Sequence, residues 1–292
     1  MKRCKLILAF VCALVLSTGC ASRLTDNQKK SVSGFAQSAS QVGSIANIEF
    51  KSVRDEVIGL NLYAIALNID DSPEWNDLDQ AVNEDSLKRR QNAVQTLENY
   101  GDLLYSLSSN DKNAELDKAA NKFTDGVKDL DQDQKVSSTS LDVIKYTVKG
   151  LGRLIVEKKK KKAITDVVTT SRSQIDHLCN LIIEDFDGDR GFSGQLLVAS
   201  VRLQIGANDV LLESKDIEDR QVAINAFYAG SLATKRVNEY HPQIAQAAKN
   251  LKISNQKLYV DLHMKGKNPF TSINNFKSSV KKLSETVQFY VK

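Results

Sequence analysis

Apolar residues return every third or fourth position along most of this chain. Val32, Phe35, Ala39, Val42, Ala46, Phe50, Val53, Val57, Leu60, Ala64 and Leu67 keep that step without a break. The spacing puts them on one stripe of an α-helix, whereas a half-buried strand would alternate every second residue. The run predicts a helix about 60 Å long. It is expected to stop near Asp70-Asp71-Ser72-Pro73, because proline lacks the amide hydrogen of the ladder and pushes its predecessor away from helical angles.

The same step recurs downstream. Leu87, Val94, Leu97, Gly101 and Leu104 predict a helix over Asp85 to Ser108, and a shorter one is expected from Asn113 to Leu130. The polar run DQDQKVSSTS ends it, with Ser140 suited to cap the next helix. Leu141, Ile144, Val148, Leu151 and Ile155 then carry the pattern, and Ile164, Val168, Ser171, Ile175, Leu178 and Ile182 resume it. Further helices are expected over Leu196 to Glu213 and over Ile217 to Leu262, where Pro242 predicts a kink or a restart. After the loop KGKNPFTS, the stripe Ile273, Phe276, Val280, Leu283, Val287 and Tyr290 predicts the last. Only three prolines and fourteen glycines occur, too little punctuation for many short strands. The expected fold is all-α, an elongated antiparallel bundle with long, coiled-coil-like helices.

The first twenty residues follow a different pattern. Met1 to Lys5 are basic, Leu6 to Leu16 are eleven consecutive apolar residues, and Ser17, Thr18 and Gly19 are small, which is the layout of a secretory signal peptide. As a helix the apolar run covers about 16 Å, half of a bilayer's hydrocarbon core. With Cys20 next, Leu16-Ser17-Thr18-Gly19-Cys20 resembles the lipobox of bacterial lipoproteins, with Ser17 where that family usually has Leu. The resemblance covers the N-terminal segment alone. It implies a thioether-linked diacylglycerol on Cys20, cleavage between Gly19 and Cys20, and acylation (palmitate or a similar chain) of the new amino terminus. Two or more acyl chains suffice for stable anchoring. Ala21, in place of Asp, implies sorting to the outer membrane with the body facing the periplasm, the outer leaflet of the inner membrane being the alternative. The domain reading is then 1–19 signal peptide, 20–28 lipidated tether, 29–292 helical bundle.

Composition agrees with a folding body, 41% apolar and 26% charged. The net charge of +4 drops to +1 once Lys2, Arg3 and Lys5 leave with the signal, so no global field favours nucleic acid. Cys4 and Cys12 leave too, and with Cys20 alkylated Cys179 has no partner. No disulfide framework is expected, and Cys179, within IDHLCNLII, is expected in a helix core.

Candidate chemistry is sparse. Lys158, Lys159, Lys160, Lys161 and Lys162 cover every face of a helical turn, so none of its sides is expected to be buried. The run reads either as a solvated section or as a patch for anionic head groups or an acidic partner. Asp185, Asp187 and Asp189 imitate the start of a calcium loop, but Arg190 stands where the turn glycine belongs and Leu196 where the bidentate Glu belongs. The expectation is a tight connection that uses Gly188 and Gly191. His177 and Cys179 point apart on a helix, and His241 and His263 have no ligand at the four-residue spacing. No phosphate loop, nucleophile elbow, zinc-protease motif or paired C-x-x-C occurs in the sequence. The eight tyrosines read as bundle-edge residues.

The resulting expectation is a non-enzymatic scaffold or interaction protein on an envelope membrane, without cofactor or metal. Its partners would be the membrane, through the lipid, and an envelope protein, with no nucleic acid. Alternatives are a membrane-active or pore-assembling component using a hairpin with the Lys158–Lys162 run, and a small-ligand sensor or carrier.

Overall fold

The computed structural model describes residues 23–69, 72–79, 82–109, 113–129, 144–145, 157–263 and 270–290. Eight helices occupy them: α1 (Asp26–Ala66), α2 (Glu84–Ser108), α3 (Asn113–Asp129), α4 (Glu157–Phe186), α5 (Gly191–Glu213), α6 (Ile217–Glu239), α7 (His241–His263) and α8 (Phe270–Tyr290). No strand occurs among the described residues, and the class is all-α. The readings placed on Gly19, Cys20 and Ser140, and on Leu141 and Val148 to Ile155, lie outside the described residues.

Both ends of α1 have a local cause. Thr25 Oγ1 accepts from the Gln28 amide at 3.2 Å while Gln28 Oε1 accepts from the Thr25 amide at 3.0 Å, a reciprocal capping box. The helix therefore starts at Asp26, inside the stretch expected to be tether. At the other end it stops at Ala66, ahead of the expected proline. Asn68 takes the left-handed conformation, φ 51°, and its amide donates to the Ile65 carbonyl while the Ile69 amide donates to that of Ala64. This is a Schellman stop, in which an asparagine tolerates the backbone angle that β-branched residues avoid. It turns Leu67, Asn68 and Ile69 back along the helix.

α1 and α2 run in opposite directions and approach unusually closely. A Cβ on Gly43 would lie 2.7 Å from the Val94 carbonyl oxygen, and one on Gly101 would lie 2.5 Å from that of Ala36. Two glycines, one per helix, thus admit the partner's backbone. Above this contact the rings form a chain, Phe123 against Tyr100, Tyr100 edge-on to Phe35, and Phe35 against Phe276 of α8, and each fully buried ring of this kind stabilises by roughly 1.5–3 kcal/mol. The Tyr100 hydroxyl stays satisfied by donating to Asn255 Oδ1 of α7 at 2.7 Å.

α4 and α7 also run oppositely, pairing Asp176 with Gln256, Asn180 with Lys252 and Asp187 with Lys249. In α5 and α6, Ser200 and Gln204 meet Thr234 and Ser231. Arg220 reaches back to the Leu211 carbonyl at 2.5 Å and closes the hairpin. The long helix expected over 217–262 is two: α6 ends at Glu239, Tyr240 caps it, and α7 restarts with Pro242 in its first turn, where the missing amide hydrogen costs nothing.

Candidate functional site

Three regions bear on function: the lysine run, a buried polar centre, and the outer face of α5 and α6. The lysine run opens α4, and the expectation that no side of it is buried is corrected. Lys160 is 5% exposed and its Nζ donates to the Ser109 carbonyl at the end of α2, 2.5 Å away. A lysine can lie against the body when its stem packs and a helix-end carbonyl takes its charge. Lys159 and Lys162 are exposed, Lys161 half-buried, and Lys162 pairs with Asp166 at 2.7 Å. The turn therefore has an inner and an outer side.

The aspartate-rich connection is likewise committed to the body. Asp185, 3% exposed, accepts two bonds from Arg90 of α2, at 2.8 and 3.0 Å. Burial outweighs the guanidinium and raises its carboxyl above the ordinary value. Asp187 pairs with Lys249, and Gly191, at φ 73°, supplies the turn angle. Of the histidines, His177 is exposed, His263 sits on Tyr259, and His241 is fully buried. Among the described residues no three His, Cys, Asp or Glu side chains are placed to hold a metal ion. No described helix is long and apolar enough to cross a membrane.

The centre around His241 joins five helices. Glu49 of α1 accepts from Arg236 of α6 through both oxygens, at 2.7 and 2.6 Å, and from His241 Nε2 of α7 at 2.8 Å. Arg236 also donates to Glu56 at 3.1 Å, and Ser193 of α5 meets His241 Nδ1 at 2.5 Å. Phe186 of α4 presents an edge to the imidazole. For Glu49, burial pushes the carboxyl up but the bonds from His241 and Arg236 outweigh it, so it is held below the ordinary range. An ionised carboxylate only accepts, which makes Nε2 of His241 the donor to Glu49. Serine, histidine and glutamate are the residue types of a nucleophile, base and orienting acid. Here Ser193 is 1% exposed and Glu49 and His241 wholly buried, so no substrate carbonyl reaches Oγ in this packing, and the chain of bonds ties helices together.

The outer face of α5 and α6 is the reverse of a core-facing hairpin. The buried residues of α6 are Ala223, Ala226, Gly230, Ala233 and Arg236, while Ile224, Phe227, Tyr228 and Leu232 are exposed. On α5, Val198, Val201, Ile205 and Leu212 follow a second helical stripe turned to solvent. Ile205 is 60% exposed, Leu212 76%, and Ile217 at the hairpin tip 82%. Nine of the fifteen exposed large apolar side chains among the described residues lie on these two helices. Beside α5 the face deepens into a groove of about 780 Å³ whose far wall is Leu67, Asn68 and Ile69, the turned-back end of α1. Gly206 lets Ile69 approach, since a Cβ there would lie 2.6 Å from it.

Sequence reasoning missed both the buried centre and this face. A signal for the first was present, because Glu49 follows Ala46 by three and Arg236 follows Ala233 by three, placing two charges on apolar stripes. Compared with family models, with curated proteins and with solved structures, the chain matches none of them.

Proposed function

We propose that the protein is a non-enzymatic docking scaffold of a bacterial envelope, lipid-anchored through Cys20, facing the periplasm, and binding a protein partner with the outer face of α5 and α6. The observation that carries the docking reading is the inverted α6: it spends alanines and a glycine on the core and keeps its large apolar residues outside. Contiguous apolar surface of this kind on a folded protein marks an interaction site. The anchor rests on the resemblance at Leu16–Cys20.

On this reading the anchor and the face belong to different ends of α1. Cys20 precedes the first residue of α1, Asp26, by six positions, so a lipid there is within about 22 Å of chain from α1. The groove is at the other end of α1, which at 41 residues is about 60 Å long. The outer lysines Lys159 and Lys162 share the anchor's end, because Lys160 bonds Ser109 and the close contact of Gly101 is with Ala36 and Ser40. Their charge, shared in part with Asp166 through Lys162, suits anionic head groups beneath the body. Mass spectrometry of the mature amino terminus tests the anchor, and an unmodified Cys20 or cleavage elsewhere overturns it. For the docking face, a photo-crosslinking residue at Ile205 or Tyr228 in cells should capture a protein far more than one at Lys51 or Glu115. Equal yields at all four positions would refute the assignment.

A further inference from the structure

We infer that the occupant of the α5–α6 face is a cationic amphipathic helix of the partner protein, its apolar stripe seated in the groove between α5 and the end of α1. This rests on the docking reading above and adds the chemistry of what docks. Three features argue for it. The exposed stripe Val198, Val201, Ile205 and Leu212 has the three- and seven-residue steps that mesh with another helix and runs about 21 Å along α5. The groove beside it, about 780 Å³, has room for several apolar side chains. Its charged lining is Asp209 and Glu213 beside Arg202, whose guanidinium donates to Asn61, and over 209–219, from those acids to the hairpin tip, stand five carboxylates and one lysine.

Arg220, next in sequence, is turned onto the Leu211 and Ser214 carbonyls; Asp216 caps α6 and Asp219 accepts from Ser214, and all five acids are exposed. An apolar strip beside carboxylates is complementary to a helix with Leu- or Ile-like residues on one face and Lys or Arg along its flanks. The same acids repel an anionic bilayer, and the far end of α1 is where a membrane carrying the anchor is not. A second copy of this face would offer the same acids and no cationic flank to pair with them.

The mature chain in mild detergent, titrated against a fluorescent synthetic helix of Leu and Lys, tests this by anisotropy. Binding should be saturable, should weaken with salt, and should exceed that of a Leu–Glu helix of the same length and pattern. Ile205→Asp should lower affinity at least about tenfold, since a buried isoleucine is lost from the contact. Asp209→Lys with Glu213→Lys should reduce it further for the Leu–Lys helix and raise it for the Leu–Glu helix. Ile205, Asp209 and Glu213 are exposed or half-exposed, so unchanged melting shows that these variants fold. Equal binding of both helices, or of neither, overturns the cationic-helix assignment; in either case crosslinks at Ile205 in cells would leave the docking reading standing. Binding of anionic vesicles lost on Ile205→Asp identifies a bilayer as the occupant, and concentration-dependent dimerisation lost in that variant identifies a second copy. Each of those results also overturns the inference.

Discussion

Replacing Arg236 with Met keeps most of the side chain's volume and removes the guanidinium that holds Glu49 with two bonds and Glu56 with a third. Glu49 is completely buried and retains only the His241 bond. Removing one member of a buried ion pair typically costs about 3–5 kcal/mol, because the remaining charge has neither water nor partner. For a chain of this size that is a fall in Tm of roughly 6–20 °C. The loss should depend on pH, with a definite sign. In the native protein the Glu49 carboxyl is held below the ordinary range, so its stabilisation is present above that range and is lost as pH falls through the depressed value. Without Arg236, burial is no longer outweighed and the carboxyl moves up, so the variant is penalised at neutral pH and the penalty shrinks as acid protonates it. Melting curves followed by circular dichroism from neutral to acid pH should therefore converge. Glu49→Gln in the Arg236→Met background removes the stranded charge and should recover part of the lost stability. A single variant that melts within about 1 °C of the native protein at neutral pH, or a double variant that melts below the single one, would refute the reasoning.

Gly101→Ala should destabilise by about 1–3 kcal/mol, because its Cβ meets backbone atoms of Ala36 and Ser40, which cannot swing away. Gly59→Ala, with nothing within 4 Å, should stabilise by about 0.5–1 kcal/mol, and chemical denaturation of the pair checks both. Cys179 is fully buried and burial pushes its thiol well above the ordinary value, so alkylating reagents should leave it unmodified in the folded protein and label it in denaturant. Asn68→Val forces a β-branched residue into the left-handed angle of the Schellman stop and should cost about 1–2 kcal/mol. By loosening the wall of the groove it should also weaken binding of the Leu–Lys helix, whereas Asn68→Gly should do neither.

The helices were legible because their cause is local. An apolar residue every third or fourth position, a capping oxygen at Thr25 and a proline at 242 act within one or two turns, and α1, α2, α3, α6 and α7 begin or end within a few residues of where these signals stand. α1 stops at Ala66, a few residues ahead of the expected Asp70-Asp71-Ser72-Pro73, because Asn68 provides an earlier stop, and an asparagine's willingness to adopt φ 51° has no periodic signature. The lysine run was misjudged for a related reason. Five identical residues have no pattern, and it is the Ser109 carbonyl, from the far end of α2, that takes the Lys160 ammonium inward.

The candidate sites were not legible because they are made of residues far apart in the chain. Glu49 and Arg236 are 187 positions apart and Ser193 and His241 are 48, and nothing in either local stretch says that the two meet. The α6 stripe is the sharper case. Its large apolar residues and its alanines are both at helical spacing, and the sequence favours the bulky face as the buried one. Close approach of α5, where a Cβ on Gly230 would lie 2.9 Å from the Ser200 carbonyl oxygen, admits only small residues and turns the bulky ones out. By itself the sequence determined that the chain is helical, where most helices lie and how its first twenty residues resemble a lipoprotein signal, since these depend on neighbours a few bonds or one turn away. Tertiary structure decided which faces are covered, which charges are paired in the core and where apolar surface is left over, because burial is settled by the shape of whatever arrives from elsewhere in the chain.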